Sequence, residues 1–502
     1  MNAHPRAGRP VDLDELRRLR HDLREALARP WRARWTALGA VGLTEERWRG
    51  WPVTYRRAVN AGALGLLALV VLAPFSGFDL GALYTWIVFA TLYVPPWERI
   101  PLVGRYIPAL GMLLVVVLYP FYNDKLYTVP ILGAFPDVHT GVVMLIFVMM
   151  GVGLNVVVGY AGLLDLGYVA FYALGAYSAA WFASVQFAGQ NANGSPKRFW
   201  HFGSIDVDKA LGGIHISPWI LLIVAGIFTS LIGMLIGLPT LRLRGDYLAI
   251  VTLGFGEILP QVARNGDNLF GQNLTNGPQG IGPLDPLGFG HTLHRAIGLP
   301  ANYQTAANGD DLFFWTAIVL VLITVFCSLR LRGSKLGRAW IAIREDETAA
   351  SAMGIPLMRT KTLAYAIGAF IGGVAGAYFA LFTSSANPDS FSLNFSVFVL
   401  VMVILGGMGN VWGVLFGAAF LAYLDQAGLA NTGAWLNQHL GLTIDVPKYE
   451  FGIYGVILLI VMLFRPHGLI PEARRKMEFE LGVHDEPLYD AVVGADHAAG
   501  AE

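Results

Sequence analysis

Long apolar runs alternate with polar segments between residues 59 and 464. A helix that crosses a bilayer needs about 17–25 mostly apolar residues. Ten runs meet or approach that length: 59–75, 79–94, 106–122, 138–158, 162–186, 217–238, 246–263, 312–329, 362–383 and 451–464. An eleventh apolar block, 396–424, is interrupted by Gly406, Gly407, Gly409 and Gly413. It reads as two half-helices around a Gly-rich turn, entering and leaving on the same membrane face. The predicted fold class is an all-α polytopic membrane protein, with about ten transmembrane helices plus this Gly-rich broken-helix hairpin.

Composition agrees with that pattern. Of the 502 residues, 55% are hydrophobic and only 14% charged, which excludes an ordinary soluble domain. The formal net charge is zero, so the overall balance does not point to nucleic acid. Gly occurs 59 times, which suits helices packed closely in lipid. The one cysteine, Cys327, lies inside an apolar run; it cannot form an internal disulfide, and a small buried residue is expected.

Charge orients the layout. With both termini cytoplasmic, 28 of the 35 Lys and Arg fall in cytoplasmic segments and 7 in external ones. Leaving out the first 58 residues and their 13 Arg gives 15 to 7, still the positive-inside direction. A single crossing by 396–424 would carry Arg465, Arg474, Arg475 and Lys476 outside, which favours the hairpin. No apolar stretch precedes residue 59, so the N-terminus does not read as a cleavable signal. Leu13, Leu16, Leu23 and Leu27 share a helical face flanked by Arg17, Arg18, Arg20 and Arg24, the pattern of either an interfacial helix or a poorly ordered tail. Two external segments, 187–216 and 264–311, are too long for simple connectors, so they suit either an external partner or elaborated loops.

Several chemistries have no motif here. The chain has no GxxxxGK[ST] phosphate loop, HExxH, CxxC or GxSxG. His139, His201, His215, His291 and His294 lack a metal-ligand spacing, and no clustered nucleophile suggests an enzyme. No metal or cofactor is expected.

Four stretches carry the positive signals. The first, 333–361, is a polar, Gly-bounded segment between two apolar runs. It predicts a helix over Ala339–Met353, with a charged face of Arg344, Glu345, Asp346 and Glu347 and a small-residue core of Ala349, Ala350 and Gly354. Gly354 and then Pro356 end it, the usual order at a helix C-terminus. Such a helix on the basic side of a membrane suits docking to a separate ATPase; the plainer alternative is a loop with a helical turn. The second stretch, 151–177, is Gly-rich and places Asn155 and Asp165 in or beside apolar blocks. A carboxylate there faces protein, water or a solute, because lipid disfavours it. Both a translocation pathway and a packing interface fit. In the third, 241–261, Glu257 falls well inside a span beside Gly254, Gly256 and Pro260, either on a pathway or hydrogen-bonded to a neighbouring helix. The fourth, 403–417, places Gly407 and Gly409 where half-helices can point into a pathway or cross tightly.

With these residues in view, the chain resembles the M-type permease subunit of the branched-chain amino acid ABC importers, the LivM family. The matching blocks are GYAGLLDLGYVAFYALGAY (159–177), RLRGDYLAIVTLGFGEIL (242–259), LTNGPQGI (274–281), GRAWIAIREDETAASAMGI (337–355), ILGGMGNVWGVLFGA (404–418) and LFRPHGLIP (463–471). The resemblance covers about 138–471, in the family's block order. It divides the chain into a cytoplasmic Arg-rich extension (1–58), N-terminal transmembrane helices (59–137), the permease core (138–471) and an acidic tail (472–502). In the general importer signature EAA-x3-G, Thr348 replaces the Glu and Glu347 stands one place earlier; no I-x-L-P follows. The resemblance implies a multi-pass protein of the bacterial inner membrane, without an ATPase site of its own. It implies two ATP-binding partner subunits, a second, H-type permease and a periplasmic binding protein. ATP would be bound by the partners alone. An ion-coupled secondary transporter, with Asp165 and Glu257 as ion sites, is the rival expectation.

Overall fold

The computed structural model describes residues 116–117, 119–121, 136–189, 199–203, 212–243, 246–268, 272–285, 287–288, 309–440, 445–465 and 468–470. The spans expected at 59–75 and 79–94, most of 106–122, the N-terminal leucine face and the acidic tail lie outside them. From residue 136 on, the described residues belong to one compact unit.

The helices are α1 (Val138–Leu154), α2 (Val169–Phe182), α3 (Pro218–Thr240), α4 (Asp246–Arg264), α5 (Gly309–Gly333), α6 (Lys335–Glu345), α7 (Glu347–Ala352), α8 (Leu357–Thr383), α9 (Leu393–Gly406), α10 (Val411–Tyr423), α11 (Leu429–Leu440) and α12 (Glu450–Phe464). Among the described residues, six helical stretches are long and apolar enough to cross a membrane, and α2 and α9 are shorter apolar helices. The chain is an all-α polytopic membrane protein.

Three expectations change. The apolar run 162–186 is not one helix: residues 161–168 form an irregular segment, and α2 begins at Val169. The block 396–424 does break at its glycines, but its second limb does not stop at 424. A π-helical turn, Leu424–Gly428, joins α10 to α11, so the return limb spans Val411–His439. Cys327 is exposed on α5 rather than buried.

The core forms where small residues let helix backbones meet. Helix α8 packs most extensively on α3 and α2. A Cβ at Gly175 would lie 2.0 Å from the Gly373 carbonyl oxygen, so only glycine permits this α2–α8 approach. Around it, Tyr168 donates to the Gly368 carbonyl at 2.9 Å, and Phe171 meets Tyr365 edge to face with ring centroids 5.2 Å apart.

One end of the bundle carries a small sheet, β1 (Ala183–Ser184), β2 (Phe199–Phe202) and β3 (Gly213–Ile216), in the order β1-β3-β2. β1 pairs antiparallel and β2 parallel with β3. His215 on β3 is buried, and its Nδ1 lies 2.9 Å from the buried Asp285 carboxylate; the Asp285 amide donates to Ala183. The described parts of the two long segments 187–216 and 264–311 are thus fastened to the bundle and to each other. An Ile281–Ala386 bridge and an Arg264–Asp389 ion pair of 2.6 Å complete this end.

Gly175→Ala is expected to lower stability by about 1–3 kcal/mol, the usual cost of overpacking, while Gly455→Ala, which meets open space, stays within about 0.5 kcal/mol. Thermal melts of the full chain in one detergent check this; equal melting temperatures for both variants would remove the close-approach argument.

Candidate functional site

At the end opposite the sheet, the segment between α5 and α8 folds back across the bundle. The predicted single helix over Ala339–Met353 is in fact two, α6 and α7, and it begins earlier, at Lys335. Ser334 caps α6 through the Gly337 amide. The break falls at Asp346, which is extended (φ −151°, ψ 111°). Its Oδ1 accepts from the Thr348 amide (2.8 Å), the Ala349 amide (3.0 Å) and the Thr348 hydroxyl (2.6 Å). Asp346 is the N-cap of α7. The Thr348 hydroxyl and these amides hold its carboxyl below the usual range. Gly354, at φ +84°, ends the segment in the left-handed conformation that glycine favours.

The charged face sorts into separate roles. Arg344 turns back into the protein and donates to the Gly159 carbonyl at the end of α1. Glu347 pairs with Lys361 Nζ at 2.7 Å, and Lys361 is buried on α8. Asp346 is occupied by the cap, and Glu345 is exposed. Ala350 is buried, whereas Ala349, Ser351, Ala352 and Gly354 are exposed and Met353 is 84% exposed. The outward surface of α7 is therefore small and neutral; its one charge, Glu347, ties it to α8, and Arg344 ties α6 to the turn after α1. Trp340 is fully buried and donates to the Thr360 carbonyl at 2.8 Å, adding an anchor from α6 to α8. A cavity of about 270 Å³ lies between this segment, residues 161–164 and Leu243 and Leu248.

The Gly-rich break lies next to the end of α1. Asn155 begins a π-helical turn, Asn155–Tyr160, and its Oδ1 accepts from the Gly409 amide at 2.8 Å. Gly407 (φ +114°) and Gly409 (φ +89°) adopt conformations that disfavour any side chain. Residues 468–470 close the break: the Leu469 amide donates to Leu405, the Ile470 amide to Gly406, and the Asn410 side chain to the Ile470 carbonyl. Asn410 also caps α10 through the Trp412 amide.

Asp165 is buried in the irregular segment before α2. Its carboxylate accepts from the Gly167 amide at 2.9 Å, and Tyr365 is its side-chain partner. The next residue, Leu166, donates to Thr252 on the inner face of α4. Glu257 is on the other face of α4, exposed beside Ile258. The structure thus joins Asn155 to Gly409 but places Asp165 and Glu257 on opposite sides of one helix. Lys361, Trp340 and Asn410 escaped the sequence reading. Lys361 stands at the edge of an apolar run, where a polar residue looks like an ordinary boundary, while Trp340 and Asn410 lie inside stretches conspicuous for their charges and their glycines.

A bundle of apolar helices, with a polar helix pair strapped across one end and a Gly-broken hairpin beside it, defines a multi-pass membrane protein. The family model described as "Branched-chain amino acid transport system / permease component" matches residues 139–462. The chain is 33% identical over 384 residues to the high-affinity branched-chain amino acid transport system permease protein LivM of Salmonella typhimurium, covering 74% of this chain and 76% of that one. It is 33% identical to LivM of Escherichia coli K12 over 383 residues, with the same coverage. A more distant relative is the permease protein LivH of Salmonella typhimurium, 26% identical over 227 residues, 44% of this chain and 66% of that one. No solved structure matches the chain. The chain belongs to the branched-chain amino acid transport system permease family.

The cap geometry separates two roles for Asp346. Asn caps helices as well as Asp, and Ala does not. Asp346→Asn is expected to retain solute uptake, and Asp346→Ala to lower it several-fold. Equal loss in both would mean that the charge itself makes the contact. Because its folded pKa lies below the unfolded value, the ionised cap contributes fully above the unfolded pKa and is lost only as the pH falls through the folded one. Wild-type uptake therefore owes no change near neutral pH to this group.

Proposed function

We propose that this chain is the transmembrane permease of an ATP-driven importer that translocates branched-chain or related amino acids delivered by a periplasmic binding protein. The observation that carries the proposal is the α6–α7 pair. Its second helix, α7, presents small neutral residues outward beside the exposed Glu345 and Asp346, while Arg344, Glu347 and Trp340 fasten the pair to α1 and α8. A push on α7 is thereby transmitted to two long membrane helices, as coupling to a motor requires. The permease family to which the chain belongs and the amino-acid transport named for its relatives support the same reading.

In this scheme two ATP-binding subunits dock at α6–α7 and bind all the ATP; the chain itself is not an enzyme and needs no cofactor. Ala349 and Gly354 lie on the docking surface, and Ala350 packs beneath it. Arg344 and Glu347 couple it to the bundle, Asp346 caps α7, and Glu345 faces the ATPase. A second, H-type permease completes the channel, consistent with the distant LivH similarity. The exposed face of α4, where Glu257 stands among apolar residues, suits that partner better than lipid, since a carboxylate facing hydrocarbon is costly. Asn155, Gly407 and Gly409 form the flexible inner element of the pathway, and Asp165 holds the segment beside it. The fastened outer end, with its sheet, receives the binding protein. Both termini are cytoplasmic, in the inner membrane of a bacterium. Alternating access then follows from moving α1 and α8 against the Gly-broken hairpin.

The test is a tagged pull-down in mild detergent, with residues 339–353 intact or replaced by a Gly/Ser linker. The wild type is expected to bring down two ATP-binding subunits and a second permease, and the linker variant to lose the ATPases. If no ATPase accompanies the wild type, an ion-coupled secondary transporter becomes the better account. Charge reversal across Glu345–Glu347 is expected to abolish uptake while leaving membrane insertion intact. Glu347→Lys alone accounts for much of the loss, because it leaves the buried Lys361 opposed by a like charge. Uptake that survives the reversal would exclude these residues from coupling.

A further inference from the structure

A cavity of about 600 Å³ opens at the sheet end of the bundle, between α1, α2, α8, α9 and α12. That volume falls within the range of about 300–1,000 Å³ typical of small-molecule sites. Its inner wall is aromatic. Phe147 packs on Phe395 (centroids 5.0 Å) and on Phe398 (5.4 Å), and Tyr172 stacks on Phe395 (5.1 Å). The other wall is acidic. Asp425 stands in the π-helical turn that interrupts the return limb of the hairpin, a distortion often found at functional sites. Its carboxylate accepts from the Tyr454 hydroxyl at 2.8 Å and from Gln426 at 2.7 Å. Glu450 lines the same cavity one helical turn before Tyr454.

Among the described residues, no Lys or Arg lines this cavity. The third carboxylate, Asp389, is paired with Arg264, and His139 lies 3.5 Å from Asp310, but no cation pairs with Asp425 or Glu450 among the ion pairs of the described residues. Carboxylates facing aromatic rings attract a positive group twice, by charge and by the ring quadrupole. The aromatic floor requires the remainder of the ligand to be apolar. Ser390, Ser392 and Asn394 along the same cavity offer hydrogen-bond donors to a third, anionic group.

We infer that this cavity is a solute-binding site within the single permease chain, for a small molecule with an ammonium group and an apolar side chain. Asp425 and Glu450 receive the ammonium, and Phe147, Phe395 and Phe398 receive the side chain. The inference rests on the transport reading for its physiological ligand, an aliphatic α-amino acid, but not for its chemistry.

Cys327 is the only cysteine, so a Cys327→Ser background permits a single reporter. The full chain, carrying Ser390→Cys in lipid nanodiscs, is labelled with a maleimide in the presence of L-leucine, 3-methylbutylamine or 4-methylpentanoate. Leucine and the amine are expected to slow labelling about tenfold at about ten times Kd. The acid, which lacks the ammonium, does not slow it. Protection disappears in the Asp425→Asn/Glu450→Gln double variant. Glu450→Gln alone, which leaves the Tyr454–Asp425 bond in place, weakens protection and serves if the double variant misfolds. Protection by none of the compounds, by the acid as strongly as by the amine, or undiminished in these variants overturns the inference. Wild-type uptake and ATPase co-purification report on the transport reading separately. If they persist while protection fails, only the cavity is lost; if they fail while leucine still protects, the cavity stands and the importer reading falls.

Discussion

Inside a bilayer no water is present to satisfy a backbone amide or carbonyl, so every break in a helix must be repaired by protein. The rest of this structure depends on how that requirement is met at the Gly-rich turn between α9 and α10. The Asn155 side chain takes the Gly409 amide, and Leu469 and Ile470 supply donors to the carbonyls of Leu405 and Gly406. Three parts of the chain, distant in sequence, are needed to make one broken helix stable. Because Asn155 opens the π-helical turn that leads to Gly159, the repaired break also lies one element away from Arg344. The inner end of α1 is therefore in contact with both the polar helix pair and the hairpin.

The polar segment before α8 illustrates how charge is used when a surface must both dock and transmit. An exposed ion pair contributes little, but Lys361 is buried, and losing Glu347 would leave its ammonium without a counter-charge. Arg344 likewise points inward to a carbonyl rather than outward. The charges that make this stretch conspicuous in the sequence act mainly within the chain. Beside the exposed Glu345 and Asp346, the surface that α7 leaves for a partner is made of Thr348, Ala349, Ser351, Ala352 and Met353, residues too plain to attract notice in a sequence.

The other end of the bundle is organised differently. There the long segments fold onto one another through the His215–Asp285 contact, the Arg264–Asp389 pair and a short mixed sheet. Next to this rigid end, the π-helical turn at Leu424–Gly428 carries Asp425 to the wall of an aromatic cavity. The sequence shows an apolar run ending near residue 424 and polar residues beyond it, which reads as a simple exit from the membrane. A π turn has no distinguishing periodicity over five residues, so its effect is visible only in three dimensions.

Most membrane helices were legible because hydrocarbon imposes a length and a polarity that a one-dimensional pattern records directly. The positions of α3, α5 and α8 follow from that constraint, and the break at Gly406–Gly409 and the stop at Gly354 follow from glycine; α4, with Asp246, Glu257 and Gln261, is not apolar enough to count among the spans. The irregular segment 161–168 was not legible: Gly162, Leu163 and Leu164 are as apolar as a helix, and only their packing beneath Arg344 and against α4 excludes one. Nor did the sequence separate Asp165, buried against Tyr365, from Glu257, exposed on α4, since both are single carboxylates in apolar surroundings. The sequence by itself determined which segments enter the membrane and where the backbone is free to bend, because those are local properties of side-chain polarity and of glycine. Only the tertiary structure decided which polar groups satisfy one another and which remain facing outward, because hydrogen bonding between distant segments depends on how the helices pack.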